Sequence, residues 1–213
     1  EASLVSVNNW DCINHGIIEN DIGVEKINCP DDARVTETVI ECVSRETAPK
    51  LLFVHMDSAD HAAHTYGGFS KEYADALEQI DGYLGEIYDA IDAKGLMENS
   101  LFLLVADHGE TTYGHGGLTK EESSAVLAVA GHSVNRTELN CTVRNRDVAA
   151  IVLYALGIEQ PDHFTCSVPA ELFGESREKT VRPNPGKEEN ADKYTRCKYC
   201  GGVHTDTFFG KFT

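Results

Sequence analysis

Leu101-Phe-Leu-Leu-Val-Ala-Asp107-His108-Gly109, with Gly114-His115-Gly116-Gly117 close behind, is an apolar run that ends in an Asp-His pair. It continues into a glycine-rich loop that carries a second histidine. A short, continuous apolar run bounded by polar residues is the pattern of a buried strand. In α/β proteins, ligand sites lie outside the carboxyl ends of such strands. A carboxylate and an imidazole there, with another imidazole on the next loop, form a hard, mixed oxygen and nitrogen donor set that suits zinc or a similar divalent ion. Asp-His-Gly after a strand is equally an ordinary turn, so the weight falls on a second stretch of the same design.

That stretch lies upstream. Lys50-Leu-Leu-Phe-Val-His-Met56 is a second buried-strand pattern, and it runs into Asp57-Ser-Ala-Asp60-His61-Ala-Ala-His64-Thr-Tyr-Gly67-Gly68. Two frames compete there, because Asp57–His61 and Asp60–His64 have the same separation, with the histidine one helical turn after the aspartate. Spacing does not choose between them.

Around these strands the chain alternates. Ala2–Asn8 reads as a strand, 18–32 as a polar loop, and Asp32–Arg45 as a helix with Val35, Val39, Ile40 and Val43 on one face. From the N-cap Ser70 to Gly95, Tyr73, Leu77, Ile80, Leu84, Ile87 and Ile91 form the stripe of a long amphipathic helix. Ala125–Ala130 is another strand, and Arg146–Leu156 a helix closed by Gly157. Alternating strands and helices predict an α/β fold, a mostly parallel sheet with helices on both faces. In such a sheet both Asp-His strand ends would share one edge. Trp10, the only tryptophan, is assigned to the core. His55 and His132 read as packed or second-layer histidines, and His15 and His163 as loop residues.

The 213 residues suffice for one domain, expected over 1–174. The segment 175–213 changes character, with charge, Pro and few large apolar residues, and ends in Cys197-Lys-Tyr-Cys200 with His204 nearby. It is expected to be a tail, with a local or anchoring disulfide preferred over half a zinc site, and a partner bound through its cysteines. A formal charge of −17 argues against nucleic-acid polymers. It does not exclude a phosphate ester, since bound metal reverses the local potential. No apolar run is long enough to span a bilayer. Seven cysteines with two glycosylation acceptors, Asn135-Arg-Thr and Asn140-Cys-Thr, point to a disulfide-bearing glycoprotein that is secreted or at the cell surface.

The order of these motifs carries a resemblance. Asp60-His-Ala-Ala-His64-Thr-Tyr-Gly67, Glu72-Tyr73 through Ile80-Asp81, Ala106-Asp107-His108-Gly109, Gly114-His115-Gly116-Gly117 and Asn145-Arg-Asp147 through Ile158 with Pro161 follow one another as in the alkaline phosphatase superfamily. The chain most closely resembles its type I phosphodiesterase/nucleotide pyrophosphatase-like and GPI phosphoethanolamine transferase-like branches. The resemblance implies two divalent metal ions, zinc by preference. Asp60, His64 and His115 would hold one, and Asp107 and His108 the other. The His-Thr-Tyr-Gly run favours the Asp60/His64 frame, although Ala63 stands where that motif usually has Gly. The Asp57/His61 frame resembles the phosphomonoesterase pattern and stays open. In the family a further metal-binding Asp and a nucleophilic Thr or Ser lie upstream of the segment that Ala2–Trp10 resembles. The expectation is therefore an alkaline phosphatase-like domain lacking its N-terminal part, with no catalytic residue to name in this chain. Sulfatases share the fold and would also carry their nucleophile upstream.

Two functions follow. The first is a metal-dependent phosphoric-ester hydrolase or phosphotransferase whose nucleophile is not in this chain. The second is an inactive secreted or cell-surface structural or binding glycoprotein that keeps the fold.

Overall fold

The computed structural model describes residues 3–173. The expected tail over 175–213, with its local or anchoring disulfide and partner contact, lies outside the described residues. The chain forms two compact units, one from residues 3–98 and 108–124 and the other from 99–107 and 125–173.

The first unit is built on a parallel sheet of order β2-β1-β3, with β1 Leu4–Asn8, β2 Val24–Asn28 and β3 Leu51–His55. Leu4 pairs with Val24 and Leu51, and Asn8 with Asn28 and His55. The three strands therefore end in step, and their last residues put polar side chains along the carboxyl edge. Val5, Ser6, Val7 and Asn8 are all buried, as expected of a central parallel strand covered on both faces.

Helix α1, Asp32–Ser44, starts where Asp31 accepts the Arg34 N–H at 2.8 Å, which satisfies one of the free donors of its first turn. Val35, Val39, Cys42 and Val43 are buried, on the stripe that packs on β1 and β3. Arg45, just beyond the helix, holds Glu25 of β2 by two contacts of 2.7 Å. Helix α2 is Ser58–Tyr66 and α3 Lys71–Ala93. Ser70 caps α3 by accepting the Tyr73 N–H, and α3 packs on α1 and α2; of the expected stripe Ile87 is buried and Leu77 is exposed. The segment also contains the short helix α4, Lys120–Ser123.

The second unit pairs β4, Leu101–Val105, with β5, Leu127–Gly131, in an antiparallel ladder from Leu101↔Gly131 to Val105↔Leu127. Helix α5, Asp147–Ala155, supplies Ala150, Ile151 and Tyr154 to a core shared with Cys166, Val168 and Leu172, with Leu101, Leu103, Leu127 and Val129 packed against it.

The α/β class and the parallel sheet flanked by helices stand as expected. Three local expectations are corrected. Residues 24–28 form β2 rather than loop, because Val24 and Ile27 are enough once a neighbouring strand supplies the ladder. β4 and β5 are antiparallel: a parallel pair needs a long crossover, usually a helix, and α4 has only four residues. Trp10 is 42% exposed rather than in the core, with its ring centroid 6.0 Å from that of His55.

Among the described residues Cys12, Cys29, Cys42, Cys141 and Cys166 are free, so the expected disulfides are not found there. No helix among them is long and apolar enough to cross a membrane.

Candidate metal centre

The centre is assembled in the first unit from two short segments. β3 delivers the chain to α2, which presents Asp60 and, one turn later on the same face, His64. Ala62 and Ala63, between them in sequence, are both buried, and the methyl of Ala63 is accommodated where the motif usually has Gly. Gly67 ends α2 with φ +96° and returns its N–H to the Ala63 carbonyl at 2.8 Å, a backbone conformation that suits glycine.

The second segment, His108–Gly117, is held in a fixed loop. Thr111 and Gly114 exchange backbone hydrogen bonds of 3.1 and 3.4 Å, and the Thr111 hydroxyl donates to Gly114 O at 2.6 Å. Glu122 accepts from Gly117 N at 2.7 Å, from Thr119 N at 3.2 Å and from the Thr119 hydroxyl at 2.6 Å. The hydroxyl bond first, and then the two N–H groups, hold the Glu122 carboxyl below the usual range. Gly68 lies so close to this loop that a Cβ on it would stand 2.0 Å from Thr111 O.

These segments bring four of the expected ligands together. Asp60 Oδ2 is 3.4 Å from His64 Nε2, and Asp60 Oδ1 is 3.2 Å from His115 Nε2. His64 Nε2 and His115 Nε2 are 3.0 Å apart. His108 stacks on His115, ring centroids 3.8 Å apart and planes within 19°, with its Nε2 4.0 Å from Asp60 Oδ1. Its Nδ1 lies 2.9 Å from Gly109 O. An Nδ1–H donated to that carbonyl leaves the Nε2 lone pair facing the cluster, the arrangement common to metal-binding imidazoles.

Asp60, His64 and His115 form the one group of three or more potential ligands among the described residues whose donor atoms all lie within 4.8 Å of one another. The competing frame does not converge in this way. His61 is exposed, and Asp57 is half-buried. Burial pushes the Asp57 carboxyl up, against the opposing pull of His55 and with the help of the Asp60 and Asp32 carboxylates.

Asp107 belongs to the second unit. There it follows β4, with its own carbonyl accepting from Asn145 Nδ2 at 2.5 Å and the Ala106 carbonyl accepting from the same group at 3.4 Å. Asn145 thus tethers the strand end just before α5.

The residues fit a divalent cation on one observation in particular. Asp60 Oδ1 is a buried oxygen with no hydrogen-bond partner, although the His115 nitrogen lies 3.2 Å away. The two atoms are close without being aligned for a hydrogen bond, as two donors to a common ion would be. The donor set, one carboxylate oxygen with imidazole nitrogens, is also that of zinc.

A family model described as type I phosphodiesterase / nucleotide pyrophosphatase matches residues 24–206. The chain belongs to this family. Among the relatives of this phosphodiesterase-family chain is the GPI ethanolamine phosphate transferase 1 of Saccharomyces cerevisiae, 25% identical over 150 residues, which are 61% of this chain and 16% of that protein. The GPI ethanolamine phosphate transferase 3 of Eremothecium gossypii is 30% identical over 128 residues, 55% of this chain and 12% of that protein. The transferase 1 of Emericella nidulans is 25% identical over 170 residues, 68% and 18%. The chain thus spans less than a fifth of the length of these relatives. They belong to the alkaline phosphatase superfamily, whose members use divalent metals. They also correct the expected location: GPI ethanolamine phosphate transferases are endoplasmic reticulum membrane enzymes, not secreted proteins.

Several residues that shape the centre carried no recognisable signal. Glu110, buried next to Gly68, and Glu122 read as ordinary acidic residues. Only the Thr119-x-x-Glu122 capping-box spacing could have pointed to the second.

Proposed function

We propose that this chain carries the metal-binding part of a metal-dependent phosphoric-ester hydrolase or phosphotransferase of the phosphodiesterase/pyrophosphatase kind. In this reading Asp60, His64 and His115 hold one zinc ion, and Asp107 and His108 serve a second. Residues 1–174 are the alkaline phosphatase-like portion, and 175–213 a charged, Pro-containing tail. The observation that carries the proposal is the convergence of a buried carboxylate oxygen that makes no hydrogen bond and two Nε2 atoms within reach of a common ion. Bound divalent ions would supply positive charge for the phosphoryl oxygens and activate an attacking oxygen. The chain's own residues do the rest. Glu122 and the Thr111–Gly114 turn fix the loop that bears His115, while Nδ1 of His108 is anchored on Gly109 O. The relatives are named for transferring ethanolamine phosphate, so the substrate class we assign is a phosphodiester. In a chain of charge −17, an anionic ester needs such a cation to approach.

Titrating the zinc-loaded chain with orthophosphate by calorimetry tests this. Binding should require zinc, disappear in His115→Ala and persist in His163→Ala. Phosphate binding that is indifferent to zinc, or equal in the two variants, would contradict the proposal.

A further inference from the structure

Asp32 is 4% exposed, and it is not the cap of its own helix, since Asp31 fills that place. Its Oδ1 accepts from Asn9 Nδ2 at 2.6 Å and from Asp57 N at 3.1 Å. Its Oδ2 accepts from Ser58 N at 3.4 Å and from the Ser58 hydroxyl. A buried carboxylate is costly unless its lone pairs are satisfied, and every one of these donors is neutral. They come from the end of β1 and from the turn between β3 and α2.

Helix α2 begins there without a side-chain cap of its own, as Asp57 makes no capping hydrogen bond. The first N–H groups of a helix need acceptors, and its N-terminus favours negative charge. Asp32 supplies both from another element, across 25 and 26 residues of sequence. The two backbone groups it grips, Asp57 N and Ser58 N, come immediately before the turn that presents Asp60, so they set where α2 starts and how it is rotated. Rotation of α2 decides where Asp60 and His64 point. We infer that Asp32 is a positioning residue of the metal centre, a cap lent by α1 that holds α2 in the orientation its ligands need. This rests on the reading of Asp60, His64 and His115 as metal ligands.

The test is zinc affinity by competition with a chromophoric chelator, together with the visible spectrum of the cobalt-substituted chain. Asp32→Asn replaces one accepting oxygen by a donor. It should weaken zinc on the order of tenfold, the low end of what orienting partners of ligands are worth, and alter the cobalt bands. Ser58→Ala should act in the same direction but less, and the double variant should lose less than the product of the two. Asp147→Asn is the control: Asp147 is equally buried and accepts from Arg144 N and Ser167 N in the second unit. It should lower the denaturation midpoint and leave zinc affinity and cobalt spectrum alone. If Asp32→Asn and Ser58→Ala match the parent in both readouts while His115→Ala binds weakly, the inference is overturned and the metal centre stands. If His115→Ala also binds like the parent, the metal centre itself falls. Should Asp32→Asn fail to fold, Ser58→Ala decides alone.

Discussion

Gly68 probes the coupling between the two segments of the centre with the smallest possible change. Its φ is not in the left-handed region, so alanine there is a purely steric perturbation. The added Cβ would stand 2.0 Å from Thr111 O, 2.8 Å from Thr111 C and 2.8 Å from Glu110 Cγ. Ordinary contact begins at 3.4 Å, so the carbonyl must retreat about 1.4 Å. Thr111 cannot move alone, because it is bonded in both directions to Gly114, and His115 follows directly. Overpacking of this size costs about 1–3 kcal/mol. Ligand positions tolerate about 0.2 Å, so a shift of the His115 loop several times larger should break the 3.0 Å approach to His64. Gly68→Ala should therefore lower the urea midpoint and weaken zinc binding by about tenfold or more. Gly85→Ala is the contrast. It lies on an exposed part of α3 with nothing within 4 Å of its Cβ, and should stabilise the chain by about 0.5–1 kcal/mol with zinc affinity unchanged. A Gly68→Ala chain with parental zinc affinity would refute the coupling of α2 to the His115 loop.

Asp57→Asn separates the two ligand frames. Burial raises the Asp57 carboxyl, so its contribution to stability is fully present below the ordinary carboxylate pKa and is lost as pH rises through the raised value. The metal-free variant should therefore be more stable than the parent at neutral pH and no more stable in acid, with zinc affinity kept. A large loss of zinc affinity would instead make Asp57 and His61 the ligands. Ile151→Ala, at a fully buried position in the second unit, should cost about 2–5 kcal/mol in denaturant titration, and a loss well under 1 kcal/mol would mean that the α5 core is not packed as described.

The strand ends were legible because apolar runs and Asp-His pairs are local signals. So was the i, i+4 relation of Asp60 to His64, since a helix brings such residues to one face. Spacing alone did not choose the frame, because Asp57–His61 obeys the same rule; only the resemblance carried by His64-Thr-Tyr-Gly67 favoured Asp60/His64. The approach of His115 to His64 was not legible at all, being a contact between residues 51 positions apart in sequence. Asp32 was hidden for the same reason. Its sequence context is a helix start, and its partners at Asp57 and Ser58 come from the next strand and helix. β2 was missed because two apolar residues in five give no pattern, and its stability comes from the ladder with β1. The antiparallel pairing of β4 and β5 escaped a rule that counts alternating elements, because the connection between them is spent on the His115 loop rather than on a crossover helix.

The zinc-edge X-ray absorption spectrum of the chain loaded with one equivalent of zinc addresses the central claim most directly. Coordination by Asp60, His64 and His115 predicts only nitrogen and oxygen neighbours at about 2.0–2.2 Å, with the outer-shell pattern of two imidazoles reduced to one in His115→Ala. A sulfur shell at about 2.3 Å, or a spectrum unchanged by that substitution, would place the ion elsewhere and contradict the account.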